Sequence, residues 1–324
     1  MLIVKSPLRI SLGGGGTDIP SYFDNHSSFF ISAAIDKYVY IAINKVPEPH
    51  YFIRYSKNET EETVDKIDHN LVRELLKMYN IKPGIEITRF ADLPTGTGLG
   101  SSGSFLTALV KALDIFTGTE HDKIEVAKIA SRVEIDILKE PVGYQDTLIS
   151  SVGGLTSFEI SNELEISYNS NFVNNKIKEE LFRSIYLIDT GKRRSASKEI
   201  ENTIHKKINN EKLIQNLNNI KDVGYQTKKI LQKGELNELG SLLTQQWKLK
   251  FERSPSVFHK KINLIIEELN NTGALGAKLI GAGGGGYIMA LVSKNKVNAV
   301  KKYLNTKNLS LISINVDNLG AREY

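Results

Sequence analysis

The 324-residue chain contains no cysteine, so disulfide bonds, thiolate metal sites and a cysteine nucleophile are all excluded. It also lacks any apolar run long enough for a signal peptide or a membrane span, because the opening Met-Leu-Ile-Val is followed at once by Lys5. We therefore expect a cytoplasmic protein that has no membrane partner.

Charge of either sign is present in similar amounts, with 42 Lys and Arg against 37 Asp and Glu and a net charge of +5. No region combines a basic stripe with interleaved aromatic residues, so we expect a small-molecule substrate and no nucleic-acid partner. Hydrophobic residues make up 40% of the chain, which is typical of a globular protein. The length suits two domains of ordinary size, and we expect a monomer or a homodimer.

Hydrophobic periodicity predicts the elements around the functional motifs. Leu2 to Leu12, Ser184 to Thr190 and Leu309 to Val316 have the composition of strands, and Phe29 to Val46 of one long or two short strands. Val64 to Asn80 has the pattern of a helix. The apolar face predicted for this helix consists of Ile67, Leu71, Leu75 and Met78.

The strongest local signal is the loop Leu93-Pro-Thr-Gly-Thr-Gly-Leu-Gly-Ser-Ser-Gly-Ser104. A strand-like run, Ile85 to Phe90, precedes it, and apolar residues at helical spacing follow from Phe105 to Phe116. Glycines let the backbone approach a ligand closely, and the free N–H groups at a helix start attract negative charge. This arrangement predicts a phosphate site, and an ordinary glycine-rich turn is the alternative.

Two common phosphate motifs do not account for this loop. No Gly-Lys-Ser/Thr closes it, so it is not a Walker A loop. Gly98-Leu-Gly-Ser-Ser-Gly103 has the dinucleotide spacing, but the helix after it leads into a second helix where a βαβ unit needs a strand.

Instead, the run Pro-x-x-x-Gly-Leu-Gly-Ser-Ser that ends at Ser102 resembles the ATP-binding motif of the GHMP kinase superfamily. Arg9-Ile-Ser-Leu-Gly-Gly-Gly-Gly-Thr-Asp18 and Gly276-Ala-Lys-Leu-Ile-Gly-Ala-Gly-Gly-Gly-Gly286 resemble its other two motifs, in the expected order. The resemblance implies an α+β, two-domain GHMP kinase fold. Residues 1–182 would form the N-terminal domain, similar to ribosomal protein S5 domain 2, and residues 183–324 a ferredoxin-like C-terminal domain.

The resemblance also implies an ATP-dependent phosphotransferase that acts on an alcohol group with Mg²⁺. Ser102 and Glu134, on a helix predicted from Lys123 to Lys139, would hold the metal, and hard oxygen ligands suit it. Asp146, shortly after that helix, would be the catalytic base, with Arg9 as a cation beside the transferred phosphoryl group. The nucleotide contacts implied are Pro94, Gly96, Gly98, Leu99, Gly100, Ser101, Ser102 and Gly103.

For the acceptor, the resemblance implies that Asp18 accepts hydrogen bonds from sugar hydroxyls. The Glu-His pair of galactokinases is replaced here by Gly15 and Gly16, which argues against galactose and for a sugar that needs more room. Gly283 and Gly284 of the third motif are also implied at the substrate site. A surface-paired Arg9 and a turn at Asp18 are the alternative interpretation.

Within the superfamily, three segments are most similar to D-glycero-D-manno-heptose 7-phosphate kinases: Pro7 to Phe23, Gly143-Tyr-Gln-Asp146 and Gly273 to Tyr287. These kinases phosphorylate the anomeric C1 hydroxyl of a sugar phosphate, on the way to nucleotide-activated heptose for surface polysaccharide. Thr147 stands where a second Gln is usual, so a fucokinase- or galactokinase-like kinase of a free sugar stays open, as does a silent sugar or nucleotide sensor. Arg194, in Lys192-Arg-Arg194, is predicted to bind the acceptor phosphate; a solvated helix start is the alternative.

Overall fold

A computed structural model describes residues 1–191, 210–253, 257–281 and 285–324, with the backbone alone at residues 257–259. Three residues predicted to contact the acceptor, Arg194, Gly283 and Gly284, lie outside the described residues, and their roles stay predictions. Within these ranges, none of the helices is both long and apolar enough to cross a bilayer.

The larger of two sheets has eight strands in the described residues. They are β1 (Leu2–Gly13), β2 (Ser28–Lys45), β3 (Tyr51–Arg54), β4 (Asn58–Glu61), β5 (Ile85–Ala91), β6 (Leu155–Ile160), β7 (Ile166–Asn169) and β12 (Arg322–Glu323). The smaller sheet has the order β11-β8-β10-β9 and is antiparallel throughout. Its strands are β8 (Ile185–Asp189), β9 (Ala274–Leu279), β10 (Tyr287–Val292) and β11 (Leu311–Ser313).

Strand β2 organises the larger sheet. It is rich in β-branched and aromatic residues, which suit a half-buried pleated surface, and it forms one continuous strand of 18 residues. It pairs with β1 along its length, with β5 through Val39–Lys45 and with β6 through Ser28–Ala33. Of the two alternatives for Phe29 to Val46, the single long strand is therefore the one observed.

Ten α-helices lie within the described residues. They are α1 (Pro20–His26), α2 (Asn70–Met78), α3 (Ser101–Thr117), α4 (Lys123–Arg132), α5 (Gln145–Val152), α6 (Asn175–Ser184), α7 (Glu211–Lys233), α8 (Leu236–Arg253), α9 (Val257–Thr272) and α10 (Val297–Thr306). Helix α3 packs against β1 and β2 and is buried along most of its length. Gly118, with a φ of 74°, ends it in a left-handed C-cap.

The two sheets share a hydrophobic core. Leu12 of the larger sheet and Met289 of the smaller one belong to the same buried cluster. Helix α7 packs against β1 and β2, and α8 packs against both α7 and β9. The packing of these two helices fixes the smaller sheet beside β1 and encloses a cleft between the two halves of the molecule.

Two predicted helices differ from the observed ones. The segment from Val64 to Asn80 begins with a 3₁₀ turn, and the helix proper starts only at Asn70, so Ile67 precedes it. The helix predicted from Lys123 to Lys139 ends its α-helical part at Arg132 and continues as a single π-helical turn over Val133–Ile137. Apolar periodicity does not detect one extra residue in a helical turn, so the π-helical turn could not be predicted from the pattern.

Candidate active site

The cleft has a volume of about 520 Å³. The glycine-rich loop and the first turn of α3 form one wall, and β1 and the start of α5 form the floor. The C-terminal end of α8 and strand β9 close the opposite side. The first and third sequence motifs, separated by 257 residues in the chain, therefore meet the glycine-rich loop at a single site.

The glycine-rich loop adopts the left-handed backbone at Gly96, Gly98 and Gly100, with φ values of 73°, 78° and 74°. Gly98 needs this freedom and also a bare Cα, since a Cβ there would lie 2.7 Å from the carbonyl oxygen of Ile280. Gly100 is the N-cap of α3 and has no side chain with which to cap the first-turn N–H groups. The positive end of a 17-residue helix thus faces the cleft.

Arg9 and Asp146 form an ion pair beside the N-terminal end of α3. Nε and Nη2 of Arg9 lie 2.7 Å and 2.6 Å from Oδ1 of Asp146, and Nη1 donates to the carbonyl oxygen of Gly98 at 2.5 Å. The Arg9 side chain is only 7% exposed, whereas that of Asp146 is 32% exposed. The arginine is therefore fixed by its partners, and the carboxylate is presented to the cleft.

Ser102 and Glu134 lie together on the neighbouring wall. Oγ of Ser102 donates a hydrogen bond to Oε1 of Glu134, which the π-helical turn after α4 places in a buried position. The described residues contain no cluster of three or more acidic, histidine or cysteine side chains that could hold a metal by itself. A hydroxyl and a carboxylate fit Mg²⁺, which takes few protein ligands and completes its shell with phosphate oxygens and water.

Asp18 lies close enough to Asp146 for the two carboxylates to interact electrostatically. Its Oδ1 accepts from the N–H of Gly16 at 2.8 Å, and its Oδ2 accepts from the N–H of Gln145 at 3.0 Å. Burial raises the pKa of Asp18, and the hydrogen bond from Gln145 opposes that shift. The side-chain amide of Gln145 donates to Ser11 Oγ at 2.9 Å, which holds the first turn of α5 against β1.

Several polar residues of this cleft were not identified from the sequence. Among them, besides Gln145, are Lys278 of β9 and Arg253 at the end of α8. Nζ of Lys278 donates to Oε1 of Gln246 at 2.6 Å, and burial lowers the pKa of Lys278 to about 7, with Arg9 acting in the same direction. Lys278 is the one lysine within the quoted third motif, which could have indicated a role; Arg253 carries no comparable local signal.

The far end of the cleft is aromatic. The ring of Tyr55 meets His69 edge-on at a centroid distance of 4.6 Å, and His69 lies 5.2 Å from Phe105. The guanidinium of Arg89 lies 6.0 Å from the Phe105 centroid. Burial lowers the pKa of His69, and no described atom forms a hydrogen bond with its buried Nδ1. Flat apolar faces with a polar edge suit a planar heterocycle.

Most residues predicted for the site line this cleft, and two do not. Leu99 is fully buried in the hydrophobic core, and Pro94 is exposed and is not part of the cleft lining. Their nucleotide contacts stay predictions. The predicted residues that line it are Arg9, Gly15, Gly16, Asp18, Gly96, Gly98, Gly100, Ser101, Ser102, Gly103, Glu134 and Asp146.

Sequence comparison finds relatives among kinases. A D-glycero-alpha-D-manno-heptose 7-phosphate kinase from Campylobacter jejuni is 27% identical over 304 residues, which cover 90% of this chain and 89% of that protein. A mevalonate kinase from Methanothermobacter thermautotrophicus is also 27% identical, over 80% of this chain and 82% of its own length. A galactokinase from Thermotoga maritima is 25% identical, with 93% and 92% covered.

Solved structures share the whole fold. A D-glycero-D-manno-heptose 1-phosphate kinase from Bacteroides thetaiotaomicron superposes with a TM-score of 0.81 at 22% identity, covering 100% of this chain and 99% of that one. A galactokinase from Lactococcus lactis complexed with galactose also gives 0.81, at 20% identity, with 100% and 95% covered. At these identities the likeness concerns the fold, and the predicted two-domain GHMP kinase architecture is confirmed.

Family models match both halves of the chain. The GHMP kinases N terminal domain matches residues 67–154, which include the glycine-rich loop, Glu134 and Asp146, and the GHMP kinases C terminal model matches residues 227–310. GHMP kinases depend on ATP, so ATP is the implied phosphoryl donor. The chain therefore belongs to the GHMP kinase family.

Proposed function

We propose that this protein transfers the γ-phosphoryl group of ATP to the anomeric C1 hydroxyl of a sugar, and that the sugar is D-glycero-D-manno-heptose 7-phosphate. The product would be the 1,7-bisphosphate, a precursor of nucleotide-activated heptose for surface polysaccharide. The similarity to the Campylobacter jejuni heptose 7-phosphate kinase supports the choice of sugar.

The observation that carries the proposal is the Arg9–Asp146 pair at the N-terminal end of α3. Both contacts from Arg9 go to Oδ1, and no described residue donates a hydrogen bond to Oδ2 of Asp146. Oδ2 is therefore available to accept the proton of the acceptor hydroxyl as its oxygen attacks the γ-phosphorus and ADP leaves. Arg9 keeps the carboxylate in place and, with the helix N-terminus, stabilises the charge on the transferred group.

The other walls of the cleft accommodate the two substrates. The N–H groups of the first turn of α3, around Ser101 and Gly103, would bind the ATP phosphates, and the aromatic end at His69 would hold the base. Ser102 and Glu134 would hold Mg²⁺, which neutralises charge on the phosphates when it is bound. Asp18 would accept hydrogen bonds from sugar hydroxyls, at a site where Gly15 and Gly16 leave room.

An acceptor screen tests this function. ADP release would be measured with heptose 7-phosphate, free heptose, fucose, galactose and mevalonate, each with ATP and Mg²⁺. We expect the highest kcat/KM with heptose 7-phosphate and a product phosphorylated at C1. Preference for a free sugar would replace the proposal with a fucokinase- or galactokinase-like activity. Nucleotide and sugar binding without turnover on any acceptor would indicate a silent sensor.

A further inference from the structure

The guanidinium of Arg253 lies in the cleft without a hydrogen-bond or ion-pair partner among the described residues. Arg253 ends α8 and lines the cleft, and its buried Nε has no hydrogen-bond partner. No ion pair joins Arg253 to an acidic residue of the described ranges. The negative charge of Asp18 favours the charged form of Arg253 from a longer distance. Arg253 is partly exposed as a residue, but its Nε is buried, and a buried polar group without a partner is costly. Burial lowers the pKa of Arg253 to about 10.

The position of Arg253 indicates a contact with the acceptor and not with the nucleotide. A Cβ added to Gly16 would lie 3.5 Å from Nη1 of Arg253, so the bare backbone of Gly16 opens the space in front of the guanidinium. Gly16 also donates its N–H to Asp18. The N-terminus of α3, in contrast, packs against Asp146, since a Cβ on Gly103 would lie 2.6 Å from Cβ of Asp146.

A second cation extends this end of the cleft. Lys250 precedes Arg253 by three residues on α8, so the two side chains share a face of the helix, and both line the cleft. Nζ of Lys250 donates to the carbonyl oxygen of Gly281. Positive charge is in excess among the described residues that line the cleft, and an anion would balance it. The acids are Asp18, Glu134 and Asp146, and the basic residues are Arg9, Arg89, Lys250, Arg253 and Lys278.

We propose that Arg253 binds the phosphate monoester carried by the sugar acceptor and selects phosphorylated over free sugars, an inference that rests on the proposed function. Its planar guanidinium can donate two parallel hydrogen bonds to phosphate oxygens. Gly16 takes part because any side chain at that position would enter the space that the phosphate occupies. This assignment puts the phosphate site on described residues of α8, whereas Arg194 was predicted from the sequence.

The test compares two acceptors in one variant. Arg253→Met keeps most of the stem and removes the charge, and Lys248→Met removes a charge from the exposed face of the same helix. In Arg253→Met, the ratio of kcat/KM for heptose 7-phosphate to that for free heptose should fall about tenfold or more, while KM for ATP is retained. Arg253→Lys should recover only part of the loss, and Lys248→Met should keep the wild-type ratio.

The possible results separate this inference from the proposed function. An unchanged ratio in Arg253→Met, with the wild type active on heptose 7-phosphate, would overturn the inference alone. An equal loss on both sugars would show that Arg253 acts through Asp18 and would overturn it as well. If the wild type uses no sugar phosphate, both proposals fail.

A binding measurement tests the same inference without turnover. Inorganic phosphate should bind the ADP-saturated protein more weakly in Arg253→Met than in wild type, as followed through Trp247 fluorescence. Equal binding by both proteins would contradict the inference.

Discussion

The contacts from Arg9 give the two oxygens of the Asp146 carboxylate different roles. Because Nε and Nη2 of Arg9 both contact Oδ1, that oxygen is fixed, and Oδ2 faces the cleft. Gly100 allows this approach, since a Cβ there would lie 3.1 Å from Oδ2. The carboxylate is thereby oriented before any substrate binds, which reduces the reorganisation needed during the reaction.

Asp146→Asn should lower kcat by a factor on the order of 10² or more and retain ATP binding, because the amide keeps the shape but accepts no proton. Single-turnover kinetics and ATP titration measure the two effects. Asp136→Asn, an exposed acid on the π-helical turn, is the matched control and should keep wild-type kinetics. Near-normal turnover of a folded Asp146→Asn protein would remove Asp146 from the mechanism.

Ser102→Ala and Glu134→Gln should each raise the Mg²⁺ concentration needed for half-maximal activity by about tenfold or more, since each removes a hard oxygen from the proposed metal site. The measurement is a Mg²⁺ titration at fixed ATP. Glu120→Gln, an exposed acid in the turn before α4, is the control for loss of one negative charge. Metal dependence that is unchanged in both variants would contradict the assignment.

The sequence predicted those site residues that belong to local motifs and missed those brought in by tertiary packing. Arg9, Ser102 and Asp146 could be found because each lies within a short pattern whose chemistry can be stated. Arg253 reaches the cleft only because α8 packs against β9. The burial that lowers the pKa of Lys278 likewise results from contacts far apart in the chain.

Among the elements, the glycine-rich loop depends on its contact with the third motif. The N–H of Tyr287 donates to the carbonyl oxygen of Thr97 at 3.3 Å, and a Cβ on Gly98 would collide with the backbone at Ile280. The loop is therefore shaped from both sides, by Arg9 below and by the start of the segment after β9. This contact links the shape of the glycine-rich loop to the position of the smaller sheet.

Gly98→Ala should destabilise the protein and raise KM for ATP, and Gly118→Ala separates the two causes. Both glycines have a φ in the left-handed region, 78° and 74°, but a Cβ on Gly118 would meet nothing within 4 Å. Gly118→Ala should therefore show only backbone strain, about 1 kcal/mol. Gly98→Ala should lose roughly a further 1–3 kcal/mol because the contact with Ile280 must open. Urea denaturation and ATP titration measure the differences; equal losses in the two variants would contradict the contact.

Elements with a strong apolar pattern were predicted, and short polar ones were not. Strands β1, β5 and β8 and helix α3 match their sequence predictions closely. The edge strand β4 reads Asn-Glu-Thr-Glu, which has no apolar alternation, and the two-residue strand β12 exists only through its pairing with β1. Met78, expected on the inner face of α2, is 39% exposed, and Val72 is buried there instead.

For the molecule as a whole, a chain of side-chain hydrogen bonds joins the two sheets beneath the cleft. Nε2 of Gln246 donates to the carbonyl oxygen of Leu12 in β1 at 2.8 Å, and Oε1 of Gln246 accepts from Nζ of Lys278 in β9. All of these groups are buried, so breaking one member leaves the others unsatisfied. The position of the smaller sheet relative to β1 therefore depends in part on Lys278.

This dependence predicts how the stability of the whole molecule changes with pH. Burial lowers the pKa of Lys278 from 10.5 to about 7, so between these values the unfolded chain binds the proton and the folded protein does not. The contribution of Lys278 to the free energy of unfolding should therefore be most unfavourable below pH 7 and should become less so as the pH rises toward 10.5.

The variant Lys278→Met lacks this titration. Its free energy of unfolding relative to wild type, from urea denaturation, should fall by about 1 kcal/mol per pH unit between about pH 8 and 9.5. Lys248→Met, an exposed lysine on α8, should show no such trend, and a constant difference between Lys278→Met and wild type would mean that Lys278 stays protonated in the folded protein.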